Sequence, residues 1–137
     1  METIERDLNA SLVLSSGQLV PLETRLAYHD SDPLGVRMDF RVGEGVCRWI
    51  LSRDLLIEGL SRRAGAGDVK VWPLRRDGRQ RLRILLDAPT GEALVDASAA
   101  EVTAFLDRTL DQVARGQEVL DIDALIARIL RRKARPM

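Results

Sequence analysis

Val36-Arg37-Met38-Asp39-Phe40-Arg41-Val42 alternates apolar and charged residues without a fault. That period of two predicts a strand with Val36, Met38, Phe40 and Val42 on a core and Arg37, Asp39 and Arg41 in water. Val20 to Tyr28 repeats the pattern, with Val20, Leu22, Leu26 and Tyr28 on one face and Glu23 and Arg25 on the other. Leu8 to Leu14 reads as a first strand and Val46 to Leu51 as a fourth. Turn chemistry separates them at Ser16-Gly17, Asp30-Ser31-Asp32-Pro33 and Gly43-Glu44-Gly45, which predicts an antiparallel meander.

A short helix follows. Ser52 is placed to cap it, Asp54 suits its positive end, and Leu55, Leu56 and Leu60 share a side, while Gly59 weakens it. Three further strands, Val69 to Leu74, Arg81 to Leu86 and Ala93 to Asp96, are joined by Asp77-Gly78 and Pro89-Thr90-Gly91. The period then lengthens. Ser98-Ala99-Ala100-Glu101 has the form of a capping box, and Val102, Phe105, Leu106, Leu110 and Val113 make a helical stripe closed by Gly116. A second stripe, Ile122, Leu125, Ile126, Ile129 and Leu130, opens near Asp121.

Four strands, a helix, three strands and two helices predict an α+β fold, with a largely antiparallel, barrel-like sheet of seven strands and the helices gathered to one side. The 137 residues suit one domain, 1–137, ending in a basic tail over about 131–137. No apolar run approaches the roughly 20 residues that span a bilayer. The start METIERDLNA lacks the charged-then-apolar pattern of a secretory leader, and a single cysteine, Cys47, forms no internal disulfide; the expected compartment is the cytoplasm.

Charge changes the picture more than composition does. The 21 Lys+Arg cancel the 21 Asp+Glu, which argues against a generic polyanion binder. The cancellation is not local: residues 1–61 sum to −4, 62–86 to +6, 87–123 to −7 and the last fourteen to +5. Opposite-sign blocks within one small chain suit self-assembly and a protein partner.

Catalytic and cofactor chemistry is not visible. One histidine, His29, and one cysteine, Cys47, do not make a transition-metal site within one chain. His29 reads as a turn residue and Cys47 as a small core residue beside Trp49. Gly65-Ala66-Gly67 lacks the third glycine of a dinucleotide fingerprint, where Lys70 stands. Asp30/Asp32 and Asp121/Asp123 are explained by a turn and a helix start. No catalytic, metal-binding or cofactor-binding residue is assigned, and the chain reads as a non-enzyme. The remaining cluster is basic: Arg75, Arg76, Arg79, Arg81 and Arg83 around one hairpin, near Arg62 and Arg63. It is either a solvated, salt-bridged face or a surface for single-stranded nucleic acid, with Trp49 or Trp72 as a stacking platform.

Two runs carry a resemblance. Arg53-Asp54-Leu55-Leu56-Ile57-Glu58-Gly59-Leu60 and Gly65-Ala66-Gly67-Asp68-Val69-Lys70-Val71-Trp72-Pro73 resemble the central signature of the SsgA-like proteins of sporulating actinomycetes, the SsgB branch most. Tyr28 with Asp32-Pro33, Ala88-Pro89-Thr90-Gly91-Glu92-Ala93-Leu94, and Phe105-Leu106 with Arg108-Thr109 support it, so that it covers nearly the whole chain. The resemblance implies a non-enzymatic factor of septum formation and sporulation, acting at the septum by positioning the tubulin-like protein FtsZ in concert with an SsgA-type protein. It also implies a fold similar to the Whirly single-stranded-DNA-binding proteins and a homo-oligomer, a trimer foremost. DNA binding is not a family trait. The basic tail departs from the family pattern and leaves an acidic or membrane-surface contact open. Within the matched runs, Gly59, Gly65 and Gly67 read as backbone devices and Trp72-Pro73 as a strand end. Arg53, Asp54, Glu58, Asp68, Trp72 and Glu92 are the candidate subunit or partner contacts, with capping and turn closure as the competing reading for each.

Overall fold

A computed structural model describes residues 3–118. The predicted second C-terminal helix and the basic tail lie outside the described residues.

Nine strands and two helices form in the order β1 (Thr3–Leu8), β2 (Ala10–Val13), β3 (Leu19–Pro21), β4 (Thr24–His29), β5 (Gly35–Val42), β6 (Gly45–Ser52), α1 (Arg53–Gly59), β7 (Val69–Arg76), β8 (Arg79–Ala88), β9 (Gly91–Ser98) and α2 (Ala99–Gln112). The class is α+β, but the strands divide between two antiparallel sheets, β1-β4-β5-β6 and β3-β2-β9-β8-β7. The expected single sheet of seven strands is thereby corrected. Leu8–Leu14 is not one strand: Leu8 ends β1 opposite Thr24 of β4, and Ala10 begins β2 opposite Ala97 of β9. Asn9 alone carries the chain from one sheet to the other, and its carbonyl accepts from the Ser98 N–H. The predicted Val20–Tyr28 strand splits likewise into β3 and β4.

Burial follows the period-2 pattern where both neighbours of a strand are present. Leu26, Tyr28, Val36, Met38, Phe40 and Leu51 of the first sheet meet Leu82, Ile84, Leu86, Val95 and Ala97 of the second in one core. α2 closes it with Val102, Phe105 and Leu106, and α1 with Leu56. Burying side chains of this size contributes about 1.5–3 kcal/mol each. Two predicted caps form, the Leu55 N–H donating to Ser52 Oγ at 3.2 Å and the Glu101 N–H to Ser98 Oγ at 3.2 Å. Glu101 does not turn back on its own cap: its Oε1 accepts from the Asn9 N–H at 3.0 Å, tying α2 to the crossing between sheets.

Gly59 is fixed by space. A Cβ there would stand 2.3 Å from Val71 Cγ1, so only glycine lets α1 lie this close to β7. Gly65 combines φ +95° with a Cβ position 2.3 Å from the Val69 carbonyl oxygen. Both positions belong to the two signature runs. Trp72-Pro73 does not close a strand: it lies inside β7, Trp72 opposite Arg83 and Pro73 opposite Leu82.

Candidate partner-binding surface

The signature residues separate into internal struts and exposed groups. Arg53 is the clearest strut, and its side chain is only 1% exposed. It opens α1, whose packing on α2 points the guanidinium at the end of that helix. Nη1 donates to the carbonyls of Thr109 at 3.1 Å and Val113 at 2.6 Å, and Nη2 to Glu118 Oε2 at 2.9 Å. The guanidinium carbon lies 5.3 Å from the centre of the Tyr28 ring, whose hydroxyl donates to the Pro33 carbonyl. A cation thus sits at the negative end of α2, sharing the Thr109 carbonyl with the Val113 N–H. Arg53 holds the Glu118 carboxyl below its ordinary pKa, and burial raises that of the Tyr28 hydroxyl. Arg53 as a partner contact is corrected: it is a clamp within the chain.

Of the two readings of the basic hairpin, the salt-bridged one fits the arginines at 76, 81 and 83. Asp96 of β9 is fully buried and accepts from Arg81 Nε at 2.7 Å, Arg83 Nε at 2.6 Å and Arg76 Nη2 at 3.0 Å. Burial raises its pKa, but the hydrogen bonds from Arg83, Arg76 and Arg81 outweigh that and leave it lowered. Trp72 carries Arg63 over its ring at 4.9 Å. Three of the seven arginines are therefore spent on one internal carboxylate, and the expected stacking platform is partly covered by a fourth. Arg62, Arg75 and Arg79 are exposed, Arg62 lying 3.7 Å from Glu58. A nucleic-acid surface gains nothing from this arrangement.

Of the other candidate contacts, Asp54 pairs with Arg115 at 3.0 Å and is half-exposed, and Glu58 is half-exposed beside Arg62. Asp68 is exposed, and its carbonyl accepts from the Asp87 N–H. Glu92 is exposed and stands opposite Asp87 in the β8–β9 hairpin. Asp68, Glu92 and Asp87 thus gather at one end of the second sheet, whereas Asp54 and Glu58 lie on α1. The structure does not bring the candidates into one site.

A different surface was invisible in the sequence. Val42 is 62% exposed, Val46 56% and Ile50 54%. Val42 fits the apolar face of its strand but stands at the strand's end, opposite Gly45; Val46 and Ile50 lie on the other face, opposite Arg41 and Arg37. Cys47, expected in the core, is exposed on the edge strand β6, although Phe40 opposite it is buried. A feature that could have signalled this surface is the composition of β6, Gly-Val-Cys-Arg-Trp-Ile-Leu-Ser, which breaks the alternation seen in β5.

The outer face of the first sheet is ionic. Arg25 contacts Asp7 at 3.1 Å and Glu5 at 3.5 Å, Arg37 contacts Asp39 at 3.3 Å, and Arg48 contacts Asp39 at 2.8 Å. The Arg48 hydrogen bond comes first among the causes that lower the Asp39 carboxyl's pKa. A hollow of about 230 Å³ is lined by Asp7, Arg25, Asp39 and Arg41 among others, and these charges already have protein partners. Among the described residues no group of three or more His, Cys, Asp or Glu is placed to hold a metal ion, and no helix is long and apolar enough to cross a membrane. His29 is the last residue of β4, opposite Thr3, and its side chain braces the turn that follows, Nδ1 accepting from the Ser31 N–H at 3.1 Å.

Comparison with known proteins adds what the surface chemistry lacks. Residues 22–118 match the model of a family described as Streptomyces sporulation and cell division protein, SsgA. The chain is 40% identical over 131 residues to the sporulation-specific cell division protein SsgB of Streptomyces coelicolor, covering 93% of this chain and 96% of that one. It is also 40% identical over 129 residues to the SsgB of Thermobifida fusca, covering 91% and 93%. A solved structure of an SsgA-like sporulation-specific cell division protein from Thermobifida fusca matches with a TM-score of 0.82 at 37% identity, over 93% of this chain and 95% of that one. Another, solved in work on SsgB mutations and longitudinal cell division during sporulation of Streptomyces coelicolor, matches with a TM-score of 0.82 at 41% identity, over 85% and 93%.

Proposed function

From the premise that the chain belongs to the SsgA family of sporulation and cell division proteins, we propose that it promotes septum-site selection and septation, recruiting or positioning FtsZ through protein–protein contacts. The observation that carries this reading is the 40% identity to an SsgB along 96% of that protein's length. The reading assigns no catalytic step. The internal struts support it, because Arg53 ties the start of α1 to the end of α2 and Asp96 ties β9 to β7 and β8 within the second sheet, which leaves exposed side chains to do the recognising. In this reading the protein works on the cytoplasmic side of the septum, as a homo-oligomer with a trimer foremost and with an SsgA-type protein as a further partner. Val46 and Ile50, exposed on the outer face of β6, favour such contacts.

A fluorescent fusion expressed in place of the native protein tests this. Rings or ladders at future septa, together with loss of septa on deletion, are the expected result. A diffuse or nucleoid signal with normal septation in the deletion strain would refute it. Purified protein should also change the amount of FtsZ that sediments as polymer; no change across protein ratios and salt concentrations removes the FtsZ part alone.

A further inference from the structure

Two sheets with open ends present four edge strands, and two are guarded. β3 is three residues long and ends in Pro21. β7 carries Pro73 in mid-strand, and its Val71 already exchanges both backbone hydrogen bonds with Ala64. Short strands and prolines are among the usual ways of keeping an edge from pairing with another chain. β1 and β6 have neither. β1 carries Glu5, Arg6 and Asp7 in sequence, so a strand laid against it must match those charges. β6 is the less charged of the two. It is eight residues long, contains no proline and one charged residue, Arg48, and among the described residues no strand or bridge pairs with its outer side.

The first sheet also has an electrical direction. In register across its four strands, Asp7 faces Arg25, Arg25 faces Asp39, and Asp39 faces Arg48. This row alternates in sign from the β1 edge, where Asp7 is 83% exposed, to the β6 edge, where Arg48 is 56% exposed. All neighbouring strands are antiparallel, so β1 and β6 run in opposite directions. A second copy continuing the sheet would therefore set its β1 antiparallel to this β6, with the acidic end of one row against the basic end of the other.

We infer that β6 is a docking edge for β1 of a second copy of this chain, aligned with Arg48 opposite Asp7. This rests on the self-assembling reading above and supplies its interface. The same register places Glu5 opposite Ile50 on the outer face and Arg6 opposite Trp49, Leu8 opposite Cys47 and Ile4 opposite Leu51 on the inner one. Arg6 meets an indole face on which a guanidinium is held favourably. The contact is head-to-tail, so it builds a ring if the rotation closes. β6 against β6 offers no such match: one register sets Arg48 against Arg48, and none sets it against an acid, since β6 has no other charged residue.

Cross-linking tests the register. Asp7→Cys and Arg48→Cys are introduced together in the full chain, with Cys47→Ser to remove the native thiol. Within one molecule positions 7 and 48 are separated by three strand spacings, about 14 Å, beyond the ~7 Å a disulfide spans. Oxidation is expected to give bands at multiples of the chain mass that collapse on reduction. The control pairs Asp7→Cys with Glu44→Cys, also exposed, and is expected to stay mostly monomeric. Equal cross-linking of both pairs means random collision and overturns the proposal. Monomeric bands from a protein that sediments as an oligomer overturn it too, by putting the interface elsewhere. Monomers in both measurements overturn it while leaving the septation role intact, since that role is read from septa in the deletion strain. The charge swap Asp7→Arg/Arg48→Asp is expected to sediment as the wild type does, and each single reversal as smaller species; single reversals without effect count against the row.

Discussion

Asp96→Asn isolates the three-arginine cluster. The substitution keeps the shape of the side chain and removes its charge, leaving Arg76, Arg81 and Arg83 around a neutral amide whose NH2 group faces guanidinium donors. Breaking a buried ion pair by neutralising one partner costs about 3–5 kcal/mol. A single hydrogen bond to a charged group is worth about 1.5–3 kcal/mol. The three bonds at Asp96 do not simply add, because Arg76 is about one-third exposed and recovers water when released. The expected loss is therefore about 3 kcal/mol. In urea, with a slope of roughly 1.5 kcal/mol per molar, the midpoint should fall by about 2 M, and the melting temperature by about 10 °C. Glu23→Gln, which breaks the exposed pair with Arg41, is the control and should cost less than about 0.5 kcal/mol. The acid limb gives a second reading. The Asp96 pKa is lower folded than unfolded, so its stabilisation is present above the unfolded value near ~3.9 and is lost as pH falls through the folded one. The gap between wild type and Asp96→Asn should therefore close as the pH is lowered below about 4. A variant within about 1 kcal/mol of wild type at neutral pH would mean that these arginines are solvated as well without Asp96, and the hairpin would again be a free basic surface.

Arg53→Lys keeps the charge but replaces a planar fork by one ammonium, which does not span Thr109, Val113 and Glu118 together; a loss of about 2–3 kcal/mol in urea unfolding is expected, and a neutral result would show that charge alone suffices at this clamp. Gly59→Ala should cost about 1–3 kcal/mol through the Val71 clash, and adding Val71→Ala should return part of that, so a double-mutant cycle with no coupling would contradict the close approach of α1 to β7.

Local chemistry was legible in the sequence and partner choice was not. Ser52 and Ser98 were readable as caps because a cap and its amide lie three residues apart. Leu26, Val36, Met38 and Phe40 were readable as core because each sits in a strand flanked on both sides. Asn9 was not readable as a crossing between sheets, since no glycine or proline marks it and its role depends on the distant Ser98 and Glu101. The arginines at 76, 81 and 83 looked like a basic patch because their shared carboxylate lies on another strand, set beside them only by the β8–β9 register. Arg53 looked like recognition surface for the same reason: Glu118, its carboxylate partner, is 65 residues away. Val42 and Cys47 failed in the opposite sense, obeying the apolar pattern at a strand's end and on an edge strand that has no further strand beside it among the described residues. The family signature was legible throughout, and Gly59 and Gly65 now have a steric reason to belong to it.

The division of strands between sheets also orders the chain in time. β1, β4, β5 and β6 all lie within residues 3–52, so the first sheet has every strand it needs before β7, β8 and β9 are made. The second sheet does not: β2, made before β4, waits for β9, whose Ala97 is the partner of Ala10. Domains tend to fold from the N-terminal side as they emerge, while pairings distant in sequence come late. A nascent chain halted after β6 would hold a finished sheet whose inner face has nothing to rest on, and β8, β9 and α2 would arrive as its cover.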